Sequence, residues 1–196
     1  MRKILLTATA IPILCLASCT PVDTTANLND NANTMAAASP TMSPAVSPSA
    51  VTAGMDDNAF TIDVAQNGIA EVELGQLAAQ KAQSPEVKQF AQRLIADHTR
   101  ANNELKQIAT SKNVTLPTEI KPAQKETHER LSRLTGAEFD REFMAVMVES
   151  HDRSVNAFQD KADNAADADI KAFATKTLPT LQEHFRMARE LRDRIS

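Results

Sequence analysis

The chain has 196 residues, of which 42% are hydrophobic and 4% aromatic, with 9 Pro, 4 Gly and no Trp or Tyr. This balance fits one helical domain plus an unstructured segment. The formal charge is −4 and no basic patch is present, which argues against nucleic acid as a partner.

The first residues read as an export signal. Arg2 and Lys3 precede an apolar run, Ile4 to Leu16, that is too short to span a bilayer as a permanent helix. Leu16-Ala17-Ser18-Cys19 then resembles a bacterial lipobox. The resemblance implies cleavage of residues 1–18, lipidation of Cys19 and a membrane partner reached through the N-terminal lipid. Thr20 follows the cysteine, with no Asp to retain the product at the inner membrane, so the expected address is the outer membrane, facing the periplasm. Cleavage removes Cys15 and two cations, shifting the formal charge to −6 and leaving no free thiol and no disulfide. Residues 19–55, rich in Thr, Ala, Ser, Pro and Asn, bury too little to offset the entropy of ordering, and read as a flexible tether spanning roughly 30–40 Å.

The folded domain is expected over residues 56–196. Asp56 or Asp57 caps a first helix running to about Ala82, with Phe60, Val64, Asn67, Glu71, Leu74 and Ala78 on one stripe. Gly68 and Gly75, seven residues apart beside that stripe, suggest close approach of a neighbouring helix. Ser84 and Pro85 cap and start a second helix, to Lys112, whose stripe is Val87, Ala91, Leu94, His98, Ala101, Leu105 and Ile108. The tight turn Gln83-Ser84-Pro85 makes these two helices antiparallel. After a short helix from Pro122 to about Leu134, Thr135-Gly136-Ala137-Glu138 reads as a capping box for a long helix to about Asp163. Met144, Met147, His151, Val155 and Phe158 are in phase along it. The last helix carries Ile170, Ala174, Thr177, Leu181, His184, Ala188, Leu191 and Ile195, a phase kept across Pro179, so one helix bent at the proline is expected.

The link between the second and third long helices can cover roughly 50 Å, enough to return along a helix of roughly 40 Å. Two antiparallel hairpins joined by one long crossover define an all-α, ferritin-like four-helix bundle. In that topology Glu71, His98, His151 and His184 fall within one or two turns of a common depth, each on an apolar stripe. Two readings of this layer stand. One is a site for a single transition-metal ion (zinc, copper, iron or nickel) with those four residues as ligands. The other is a metal-free polar layer that satisfies itself and fixes helix register in a structural or interaction lipoprotein of the envelope. Asp97, Asp152 and Glu183, each beside a histidine, point about 100° away from it and are expected to be solvated rather than to orient the rings. His128, among Lys125, Glu126, Glu129 and Arg130, reads as solvated. No Gly-rich phosphate loop, Ser–His–Asp arrangement or Cys–His pair marks an enzyme.

From Phe60 to about Ile195 the chain resembles the bacterial "domain of unknown function 4142" family, placed among the ferritin-like folds. The residues that carry the likeness are Ala70 to Gly75, Ser84 to Lys88, Ala96-Asp97-His98-Thr99, Ala101-Asn102 and Thr177 to His184. The resemblance implies the bundle fold and an envelope or stress-associated role, without an assigned activity. Di-iron ferritins place a carboxylate three residues before each histidine. Here those positions hold Ile95, Val148 and Leu181, which cannot bridge two irons.

Overall fold

A computed structural model describes residues 55–196; the signal segment, Cys19 and nearly all of the tether lie outside the described residues. Five helices follow in order: α1 Asp57–Lys81, α2 Pro85–Ser111, α3 Pro122–Ser132, α4 Gly136–Asn164 and α5 Ala168–Ile195. The described residues contain no strand. Nor is any helix among them long and apolar enough to cross a membrane.

The ends of the helices are set by local chemistry. Asp56 accepts from the Ala59 N–H at 2.8 Å, and Asp167 accepts from Asp169 and Ile170, quenching free donors at the starts of α1 and α5. Ser84 caps α2 ahead of Pro85. The expected capping box of α4 does not form: Thr135 makes no side-chain cap bond. Gly136, at φ +62°, takes a left-handed turn there, which breaks the backbone geometry the box requires. Helix α5 runs on through Pro179 as one element.

Polar contacts at the two ends of the bundle fix its directions. At one end the N–H groups of Gln83 and Ser84 donate to the Asp140 carboxylate, at 3.0 and 2.7 Å. Helices α2 and α4 therefore start together and run parallel. At the other end Asp57 meets Lys161 at 3.1 Å and accepts from the Asp167 N–H, while Lys112 bridges Asp167 and Asp169 at 2.6 and 2.8 Å. Helix α1 packs chiefly on α2 and α4 on α5, with α2 against α5 and α1 against α4 closing the ring. The crossover carrying α3 is fastened to α1 by Lys81, which donates to the Ser132 carbonyl, and by Lys121, which pairs with Asp63.

The small residues of α1 do face a neighbour. A Cβ at Gly75 would stand 2.9 Å from Ile95 Cγ1 and 3.3 Å from the Ala91 carbonyl oxygen, and one at Gly68 would collide with the Asn102 amide. Both partners belong to α2, so this stripe lets the first hairpin close tightly.

The interior holds two apolar clusters. One gathers Leu74, Phe90, Leu94, Phe143, Met144, Met147 and Leu191; the other gathers Phe60, Leu105, Phe158, Ile170, Phe173 and Leu181. Glu71, His98, His151 and His184 are buried but belong to neither cluster.

Candidate metal site

The histidines come from α2, α4 and α5, at positions the helical period turns inward. His151 and His184 are fully buried and His98 is 6% exposed. Their ring centroids are 5.7 Å (His98–His151), 5.5 Å (His98–His184) and 5.4 Å (His151–His184) apart. One ring nitrogen of each lies within 4.8 Å of those of the other two.

Each ring also has a nitrogen turned to an oxygen. His98 Nδ1 stands 3.1 Å from Glu71 Oε2. His151 Nδ1 donates to the Met147 carbonyl at 2.9 Å, and His184 Nε2 donates to Asp97 Oδ2 at 2.9 Å. Carbonyl and ionised carboxylate oxygens only accept, so the proton of each neutral ring sits on the nitrogen facing them. The remaining nitrogens, His98 Nε2, His151 Nε2 and His184 Nδ1, carry lone pairs; all three are buried and none has a hydrogen-bond partner.

Glu71 occupies a different place from the one expected of a ligand. Its carboxylate stands at His98 Nδ1, 3.8 Å from His151 Nδ1, and accepts from the Ser150 hydroxyl at 2.7 Å. It is not among the side chains whose ligand atoms converge. Asp97, expected to be solvated, instead orients a ring, and the ring belongs to the facing helix: the 100° step that turns it away from His98 points it at His184. Asp152 is exposed and Glu183 pairs with Arg186, as expected of solvated acids. His128, half-buried on α3, is no part of the cluster. Met144 and Met147 are buried core residues. Sequence reasoning missed Ser150, which lies off the apolar stripe and carries no periodic signal.

The electrostatics suit a cation. Burial pushes the Glu71 carboxyl up, but the imidazoles of His98 and His151 and the Ser150 hydroxyl outweigh it and hold it below the usual range. Burial likewise opposes ionisation of Asp97, and the bond from His184 overcomes it, with Arg100 adding to the effect. Burial lowers His151, partly offset by Glu71. Burial and the two neighbouring imidazoles bring His184 down to about 4 despite Asp97. The layer therefore sets carboxylates held towards the ionised form against the rings of His151 and His184, which burial holds towards the neutral form. Among the described residues, Glu71 has no Lys or Arg partner.

Stability of the chelated protein follows from that shift. Unfolded His184 takes up a proton near its ordinary 6.5, whereas the folded ring does so only near 4. Between those values the unfolded state binds more protons, so stability falls as pH falls from 6.5 towards 4, by about 3 kcal/mol. The depressed carboxyls of Glu71 and Asp97 act in the same direction at lower pH. Urea midpoints measured in chelator at pH 7 and pH 4.5 check this; equal midpoints would contradict it.

These features define an all-helical, four-helix-bundle protein with a layer of three inward-facing histidines. The chain belongs to the DUF4142 family (domain of unknown function), whose family model matches residues 40–191. No curated protein matches it in sequence. Among solved structures it is similar to a DUF305 fragment from Deinococcus radiodurans, with TM-score 0.63 and 15% identity over 70% of this chain and 95% of that one. It is also similar to CopM in its Cu(II)-bound form, with TM-score 0.62 and 18% identity over 72% of this chain and 98% of that one. A DUF305 protein from Streptomyces coelicolor gives TM-score 0.62 and 13% identity over 73% and 94% of the two chains. At these identities the likeness is one of fold.

Proposed function

We propose that the bundle binds one transition-metal ion through His98 Nε2, His151 Nε2 and His184 Nδ1, as a lipid-anchored protein of the cell envelope. The observation that carries this reading is the set of three buried, unpartnered nitrogens turned away from their protonated edges. A self-satisfied polar layer would leave none, and each unmet buried acceptor costs about 1–3 kcal/mol. A metal ion takes up all three lone pairs at once. Asp97, Glu71 and the Met147 carbonyl hold the rings in the required tautomer, the usual support of imidazole ligands.

Three nitrogens within 4.8 Å of one another leave a central point at most about 2.8 Å from each, against metal–imidazole bonds of about 2.0–2.1 Å. Binding therefore draws the rings together by no more than about 0.7 Å each, within the reach of small side-chain rotations. Neutral imidazoles suit copper, zinc, nickel and iron, and the fold shared with copper-bound CopM supports copper as the first ion to try.

The test is elemental analysis of the full chain produced with its own export signal. Close to one ion per chain is expected, and His98→Ala should lose it. Metal-free parent protein that melts cooperatively would instead support a purely structural layer. The anchor is tested separately: Cys19→Ala should move the protein from the membrane fraction to the soluble one, and an unchanged distribution would remove the lipid from the proposal.

A further inference from the structure

We propose that the metal ion reaches the histidines through the groove between α1 and α4, with Glu71 as the carboxylate that takes it in. The proposal rests on the metal-binding reading above and adds a route and a role for Glu71.

A groove of about 490 Å³ runs along α1 and α4 beneath the crossover, and Glu71 and Ser150 form part of its wall. Adjoining it is a partly open pocket of about 30 Å³ whose wall includes both Glu71 and His98. That volume accommodates about one water, hence an ion stripped of most of its shell. Val64, Asn67, Glu71, Ser154 and Phe158 border both spaces, so the groove and the pocket that reaches the first imidazole share one boundary of side chains. Within it Glu71 is the group with charge to offer a cation. Oε1 is held by Ser150 on the α4 wall and Oε2 faces His98.

On the opposite face Asp97 is the carboxylate nearest the cluster, and its charge is already engaged by His184, by Arg93 at 3.6 Å and by Arg100 at 3.1 Å. In the groove the cations are already neutralised, Lys121 by Asp63 and Arg153 by Glu149.

Cu(II) is the probe, because imidazole sites bind it most tightly among the divalent first-row ions. Its uptake by the full chain is followed by stopped-flow absorbance, and its release by competition with a chelator. Ala157→Phe narrows the groove from α4, and Thr127→Trp narrows it from the half-exposed face of α3, where folding is least at risk. Each should slow uptake and release by the same factor, at least tenfold, with unchanged equilibrium affinity. Glu71→Gln should slow uptake at least tenfold, more than it speeds release. Unchanged rates in both narrowed variants overturn the route while leaving the site intact. Absence of Cu(II) binding by the parent chain overturns both.

Discussion

His151→Ala is expected to abolish the stabilisation that metal confers on the bundle. A ligand that binds only the folded state at a thousand times its dissociation constant adds about 4 kcal/mol. For a domain of this size that corresponds to roughly 10–15 °C in melting temperature. The relevant quantity is the difference between melts with and without metal for each protein, so whatever the substitution costs the fold itself cancels. His151 is the most informative of the three positions. Its ring is fully buried, and its Nδ1 is spent on the carbonyl of its own helix, so its free nitrogen has no charged partner to turn to. Differential scanning calorimetry with metal and with chelator reads the effect. A metal-dependent rise in the variant equal to that of the parent would place the ion elsewhere.

Asp140→Ala should be among the most damaging polar substitutions outside the histidine layer, at about 3–4 kcal/mol. The carboxylate is 4% exposed and accepts from two consecutive backbone N–H groups, those of Gln83 and Ser84. Hydrogen bonds to a charged acceptor contribute about 1.5–3 kcal/mol each, and removing the acceptor leaves both donors unpaired in a turn that has no slack. Out of a total stability of about 5–15 kcal/mol this is a large share. Asp140→Asn keeps one acceptor and should recover part of the loss. Urea denaturation of the three proteins checks the order; a cost under about 1 kcal/mol for the alanine variant would mean that water replaces the carboxylate.

Helix positions and the common depth of the histidines were legible because 3.6-residue periodicity acts along the chain itself. The stripes of Val87–Ile108 and Ile170–Ile195 announce their buried faces, and Ser84-Pro85 announces its turn. What escaped depends on partners distant in sequence. Asp97 was read against its neighbour His98, whereas its bond is to His184, 87 residues away. The stripe of Glu71 points inward and so ranks it with the ligands, but stripe and depth do not say which side of an imidazole a carboxylate meets. Asp140 did leave a trace: stepping back four residues from Met144 on the α4 stripe lands on it, a charged residue in a buried register. The failed capping box of Thr135 shows the limit of a motif taken without its backbone, since Gly136 turns left-handed there.

The arrangement of the interior has a consequence for how the molecule holds together lengthwise. Its oil is divided in two, and the divide is crossed by three rings and a carboxylate rather than by interlocking methyl groups. Each half has its own aromatic lock, Phe90 with Phe143 on one side and Phe60 with Phe158 on the other. The protein is thus built as two drops sharing a polar waist, and an ion seated there would be the rivet that makes loosening at one tip felt at the other.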